Sequence, residues 1–184
     1  MIDLSILPSR LPSPKNPYAS VSVVRLGARY SEALGEACRA SATHVKPWLG
    51  TQLCPVTPAA IKKFIQSCEN NRKNGYGIIY LLMGQERCLG MGIINYIHPV
   101  HEVANLGYWI RPEACGNNLA VTLCQSLQKL AFSQIQLRRL ELFIEPDNKA
   151  SMRVAQKLGA HCEGLCEQRI FGRDAYLYAL VGNE

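Results

Sequence analysis

Three groups of residues in this sequence have types and spacings that could do chemistry. The first is a glycine inside an apolar, aromatic run, Leu106-Gly107-Tyr108-Trp109-Ile110, followed by Arg111. Glycine weakens a strand and often marks a bulge or a place where a ligand touches the backbone; it also fits beneath a neighbouring side chain. The second is the small-residue stretch Cys115-Gly116-Asn117-Asn118, directly ahead of Leu119 and Ala120. Amides at a helix start lack intrahelical acceptors, and with the positive end of the helix dipole they bind phosphate without any charged side chain. A phosphate-bearing ligand is therefore expected to lie along the strand and end at the helix. The third group is Asn148 and Ser151, three residues apart near the start of another apolar-periodic segment. Read alone, Asn148 is a helix cap and Ser151 a surface serine.

Other chemistries are disfavoured by what the sequence lacks. It has no Gly-Lys-Ser/Thr loop and no glycine-rich Gly-x-Gly-x-x-Gly turn after a first strand, so a nucleotide-binding fold is a weak rival. Eight cysteines raise the question of a metal or disulfides, but no Cys-x-x-Cys or matching histidine pair occurs, and no metal is expected. Several cysteines fall at apolar-periodic positions, as small core residues do. Cys115 is the cysteine nearest the candidate site, and no histidine is visibly arranged in the sequence to activate it. A net charge of +6 suits an anionic ligand but falls short of a nucleic-acid-binding stripe. With no signal peptide and no membrane-length apolar run, the expectation is a reducing, cytoplasmic protein with no membrane partner.

The elements that must position these groups follow from periodicity and punctuation. Residues 21–25 read as a first strand and 31–40 as a short helix, with Lys46-Pro47-Trp48-Leu49-Gly50 as a loop carrying a large ring. Thr57-Pro58 is an N-cap with proline in the first turn, opening a helix that closes at Gly75. Residues 78–83 and 89–97 read as a hairpin around 84–87, and 103–111 as the next strand. Residues 119–132 repeat apolar residues at helical spacing; 139–144 read as a strand. A helix then opens at Pro146-Asp147-Asn148-Lys149 and stops at Gly159, and residues 162–171 and 174–181 form two final strands. The order is α+β, or mixed α/β, without the alternation of a dinucleotide fold. At 184 residues the body reads as one domain, 19–184, preceded by a Pro/Ser-rich arm, 1–18, with Pro8, Pro12, Pro14 and Pro17. The arm's isoleucines and leucines could dock on the domain or on a neighbouring copy, so a homodimer is admitted among the partners.

Taken together, Leu106-Gly107-Tyr108-Trp109-Ile110-Arg111-Pro112-Glu113, Gly116-x-x-x-Ala120 and the segment from Glu145 through Asn148 and Ser151 to Gly159 resemble the GNAT superfamily of acetyl-CoA-dependent N-acetyltransferases. The last segment, followed by Glu163-Gly164, is similar to the RimJ/RimL-type branch, which acetylates protein N-termini, notably of ribosomal proteins. That resemblance covers roughly residues 20–182. It implies a twisted, mostly antiparallel central sheet with helices on both faces. It also implies direct acetyl transfer to an amine, with acetyl-CoA as co-substrate. A protein N-terminus is the leading acceptor; a small amine or antibiotic is the alternative, and a degenerate CoA-binding regulatory module is the rival from another class.

The resemblance also implies roles. The backbone of Leu106, Gly107, Tyr108, Trp109, Ile110 and Arg111 would pair with the pantetheine arm, and an amide beside Gly107 would polarise the thioester carbonyl. Cys115, Gly116, Asn117, Asn118, Leu119 and Ala120 would form the pyrophosphate loop. The family pattern Gln/Arg-x-x-Gly-x-Gly/Ala falls on Cys115, Asn118 and Ala120, so its first two signature positions are altered. Asn is the non-glycine residue that best tolerates a left-handed conformation. Asn148 would contact the pantetheine amides and Ser151 the departing thiolate. Asn105 stands where such enzymes often carry glutamate; an amide cannot accept the proton, so this catalytic position leaves the base unassigned, with His101 and Glu102 as neighbours. Trp48 is expected either to wall an acceptor pocket or to cover the first helix, and Tyr108 rather than Trp109 to face the groove.

Overall fold

A computed structural model describes residues 2–12, 16 and 20–182. Its elements are β1 (Val21–Arg25), α1 (Ser31–Leu49), α2 (Pro58–Lys73), β2 (Gly77–Gly84), β3 (Arg87–His98), β4 (Val103–Ile110), α3 (Leu119–Ser133), β5 (Arg139–Ile144), α4 (Lys149–Lys157), β6 (His161–Ile170) and β7 (Arg173–Val181). The strands form one seven-stranded sheet in the order β1-β2-β3-β4-β5-β7-β6. Every neighbouring pair is antiparallel except β4 and β5. The fold is thus the mixed, mostly antiparallel α+β arrangement read from the sequence, with helices on both faces. Among the described residues no helix is long and apolar enough to cross a membrane.

Strand alternation divides the core in two. Leu82, Ile94, Leu106 and Leu140 pack beneath α3, whose Leu123, Cys124, Leu127 and Leu130 are buried against them. Leu81, Met91 and Trp109 point to the opposite face and meet Leu34, Cys38, Ile61 and Ile65 of α1 and α2. Gly92 lets α3 lie close to the sheet: a Cβ there would stand 2.5 Å from Leu127 Cδ1. This close seating fixes the start of α3 relative to β4, which matters for the site.

Several boundaries differ from the sequence reading, each for a physical reason. The first helix continues past Ala40 to Leu49, absorbing all but Gly50 of the segment 46–50 that reads as a loop. Pro47 sits in its last turn, where it cannot donate to the Thr43 carbonyl; Thr43 is an exposed residue, and burial of Val45 holds the helix. The last helix starts at Lys149, later than its Pro-Asp-Asn opening, with Asn148 as N-cap. The bulge considered at Gly107 is not there. Gly107 pairs in register with Ile93, and the irregularity lies between Asn95 and His98, where Tyr96 has φ +52°.

The N-terminal segment is tied to the domain. Leu4, Leu7 and Leu11 are buried in the same core as α3. The Leu11 amide donates to Val23 O at 2.9 Å and the Arg25 amide to Ser9 O at 2.8 Å, while the Tyr80 hydroxyl donates to Pro8 O at 2.7 Å. Pro14, Pro17 and the expected boundary at residue 18 lie outside the described residues.

Candidate active site

β4 and β5 pair over three residues only: Val103 with Arg139, Ala104 with Leu140, Asn105 with Glu141. Beyond Asn105 the two strands part, although β4 keeps its ladder to β3 as far as Ile110 and β5 keeps its ladder to β7 as far as Ile144. Alternate amides and carbonyls on the β5 side of 106–110 therefore have no ladder partner. Unpaired backbone groups inside a sheet need another source of hydrogen bonds. The gap opens into a cleft of about 640 Å³, walled by 106–110 of β4, 142–145 of β5, the starts of α3 and α4, and the C-terminal end of α1.

The floor of this cleft is the start of α3. Its first intrahelical bond runs from the Thr122 amide to Asn118 O at 3.1 Å, so the amides of Leu119, Ala120 and Val121 have no acceptor within the helix. Asn118 is the N-cap in a left-handed conformation, φ +58°, and its side chain does not cap the helix. Its Oδ1 instead accepts from Lys157 Nζ at 3.2 Å, which brings a cation from α4 beside the free amides. Gly116 has φ +85°, and a Cβ there would meet nothing within 4 Å. The loop thus turns through two left-handed residues, and asparagine does at 118 what glycine would do at lower cost. Leu119 is buried, and Ala120 is half-buried at the cleft floor. Asn117 turns back on its own loop, its Nδ2 donating to Ala114 O at 3.4 Å, and is not on the cleft wall.

Tyr108 and Ser151 meet across the gap: the Tyr108 hydroxyl donates to Ser151 Oγ at 3.0 Å. Burial pushes the Tyr108 phenol well above its ordinary pKa, so it stays protonated. Ser151 is placed by Asn148, whose Oδ1 accepts from the Ser151 amide at 3.1 Å. Asn148 therefore is the helix cap that its residue type suggests, and it also lines the cleft. Trp48, Leu49 and His44 of α1 form the facing wall, so the ring of Trp48 borders the cleft.

Trp109 borders the cleft by its backbone alone, as expected, whereas the expected contacts of Arg111 and Asn105 are corrected. The Trp109 side chain points away, buried on the α1/α2 face with Nε1 donating to Leu53 O at 3.0 Å; only the strand it sits on borders the cleft. Arg111 is 1% exposed and not on the cleft wall. Its guanidinium forks onto Glu36 at 2.7 and 2.8 Å and donates to Cys88 O, clamping α1 to the end of β4. Its Nε lies 2.7 Å from Glu113 Oε1, a Coulombic contact off-line for a hydrogen bond. Asn105 gives its Nδ2 to Asn95 Oδ1 at 2.7 Å and lies at the point where the strands part, not on the cleft wall. His101 and Glu102 sit in the β3–β4 turn, at the other end of β4 from Tyr108; Glu102 pairs with Arg138.

Cys115 has company the sequence does not reveal. His44, 71 positions earlier, brings Nε2 to 4.0 Å from Cys115 Sγ. The thiol nevertheless donates to the Arg111 and Ile110 carbonyls, and burial with nearby Glu113 raises its pKa. It is held as a thiol, the wrong form for a nucleophile. Glu145, also missed, lines the cleft with 8% exposure; its Oε1 lies 2.9 Å from Arg173 Nη2.

A mixed sheet that opens between its parallel strands, above a helix start with free amides, has the shape and donors that suit an extended ligand ending in phosphate. The chain belongs to the GNAT acetyltransferase family: the model of the acetyltransferase (GNAT) domain matches residues 29–161. It is 30% identical over 136 residues to the ribosomal-protein-serine acetyltransferase of Escherichia coli K12, a match covering 65% of this chain and 74% of that protein. Its fold is similar to Mycobacterium smegmatis RimJ in complex with CoA-disulfide, with a TM-score of 0.87 and 20% identity over 95% of this chain and 88% of that one. It is likewise similar to RimL, a ribosomal L7/L12 α-N-protein acetyltransferase in complex with coenzyme A, with a TM-score of 0.84 and 21% identity over 94% of this chain and 98% of that one.

Proposed function

We propose that this chain transfers acetyl from acetyl-CoA directly to an amine, and that the acceptor is the α-amino group of a protein N-terminus of the ribosomal-protein type. The observation that carries the reading is the parting of β4 from β5 directly above the free amides of α3. Support for the acceptor comes from the Escherichia coli relative, named for a ribosomal-protein serine, and for the cofactor from solved relatives that hold CoA. The reading places the work in the cytoplasm.

The residues present fit this co-substrate. The amides of 119–121, with Lys157 beside Asn118, suit a diphosphate. The unpaired edge of 106–110 suits an extended chain of amides, and Asn148 adds a side-chain amide. An amide near Gly107 would receive the negative charge that develops on the carbonyl oxygen, the donor arrangement that speeds acyl transfer. Ser151, already accepting from Tyr108, has its own hydroxyl proton left to give to the departing sulfur. An α-amino group has a reference pKa near 8 against about 10.4 for lysine, so an N-terminus needs less help to become a nucleophile.

Calorimetric titration of the purified protein with acetyl-CoA tests the first layer, and absence of binding defeats the reading. CoA release followed with a thiol reagent, across peptides differing in their first residue and a set of small amines, then separates a protein acetylase from a small-amine enzyme. Binding without any release would leave a regulatory module.

A further inference from the structure

The acceptor nitrogen must shed a proton, and Asn105 cannot take it. Glu145 is the acidic group best placed on the cleft wall. It follows Ile144 at the end of β5, and alternation turns it to the side of Phe143, away from Leu142 and Ile144, which pack under α3. Its side chain is 10% exposed, and Oε1 sits 2.9 Å from Arg173 Nη2 without the alignment of a hydrogen bond. A carboxylate so buried with unused acceptor capacity is costly to keep in a core that only needs packing. Arg173 in turn donates to Pro47 O at 2.9 Å, so the carboxylate lies where the end of α1 meets the β6–β7 turn. This corner borders the same cleft as Trp48 and Ile170, on the side of the sheet away from α3.

Resting on the reading that this cleft acetylates an amine, we infer that Glu145 receives the acceptor's ammonium group and takes one proton from it. The freed nitrogen lone pair then bonds to the acetyl carbon, and the carbon–sulfur bond breaks with its electron pair on sulfur. The second nitrogen proton ends on that sulfur by way of the Ser151 hydroxyl, and Glu145 passes its proton to water. The net change is one ammonium and one thioester converted to one amide, one thiol and one proton. A carboxylate kept only to tie down Arg173 would not need to be nearly buried, because the arginine side chain is 48% exposed. Burial raises the Glu145 pKa above the ordinary carboxylate value, Arg173 pulls it back and Asp147 raises it further, which makes it a better proton acceptor than a free glutamate. The other charged or titratable groups on this wall are His44 from α1, Tyr108 of β4, Cys115 ahead of α3, Asp147 ahead of α4, and Lys149, Arg153 and Lys157 from α4; Asp147, unlike Glu145, is exposed.

The test compares native protein with Glu145→Gln, using CoA release over a panel of peptide N-termini and small amines, with acetyl-CoA binding measured by calorimetry. The expected result is a fall in kcat/KM of about a hundredfold at pH 7 with cofactor affinity unchanged. The deficit should shrink toward pH 9 as the acceptor deprotonates unaided. Transfer by the variant within about threefold of native, with a parallel pH profile, overturns the inference and leaves the acetyltransferase reading intact. No transfer by native protein to any acceptor overturns both. Should Glu145→Gln lose cofactor binding through misfolding, Arg173→Met decides. Removing the cation raises the carboxyl pKa, so the acid-side fall of kcat/KM should move to higher pH; an unmoved profile overturns the inference.

Discussion

The Tyr108 hydroxyl donates to Ser151 Oγ at 3.0 Å, joining β4 to the first turn of α4 across the gap in the sheet. The bond leaves the serine's own proton pointing elsewhere, available to a leaving group. Ser151→Ala is expected to lower kcat by about ten- to a hundredfold while changing acetyl-CoA affinity far less. Tyr108→Phe should add little on top of Ser151→Ala, because the tyrosine acts through the serine. Steady-state kinetics with calorimetry checks both, and unchanged turnover in Ser151→Ala would remove that residue from the mechanism.

The left-handed Asn118 makes a second prediction. Asn118→Gly keeps the turn and should bind acetyl-CoA at least as well as native protein. Asn118→Val puts a β-branched side chain at φ +58°, costing about 1–2 kcal/mol in backbone strain. Roughly tenfold weaker binding is expected if that cost is relieved by distorting the loop. Equal affinities for all three would show that this loop does not hold the ligand.

Glu36 and Arg111 set a pH dependence of stability. The hydrogen bonds from Arg111, first, and its charge hold the Glu36 carboxyl below its usual pKa. A carboxyl lowered on folding adds stability that is complete above its unfolded pKa of about 4.3 and disappears as pH falls through the lower folded value. Glu36 is half-exposed and Glu113 remains beside the arginine, so Glu36→Gln should cost only about 1–2 kcal/mol at pH 7. Urea melts of native and variant protein should converge as pH falls below 4. A constant difference across that window would contradict the account.

The N-terminal segment makes a fourth. Leu4 is 1% exposed, Leu7 5% and Leu11 4%, against β1 and β2. Leu11→Ala should cost about 2–4 kcal/mol, read as a lower urea midpoint. A loss below about 0.5 kcal/mol would mean the segment is not part of the folding unit.

What could be read in the sequence was what local pattern encodes. β5 is found at 139–144 as its apolar, branched residues indicate, and α3 runs from Leu119 to Ser133 because its apolar residues recur at helical spacing. Tyr108 faces the cleft and Trp109 does not, as alternation along one strand allows. The misses come from contacts far apart in the chain. Arg111 reads as one more backbone group of the ligand-binding strand until Glu36, 75 positions away, is folded onto it. Glu145 shows its burial only once Arg173 and Pro47 close over it. Leu4, Leu7 and Leu11 lie in a proline-broken segment that forms neither helix nor strand, so its sequence admits docking of the leucines without showing that they are buried in the same core as α3.

With only three residue pairs between β4 and β5, the sheet is two blades on a short hinge, β1–β4 on one side and β5–β7 on the other. On the proposed function, a ligand threaded between them would serve as the missing strand and splint the hinge. Occupancy and heat resistance would then be two readings of one equilibrium, so on the proposed function the thermal midpoint of this chain should rise with the concentration of acetyl-CoA.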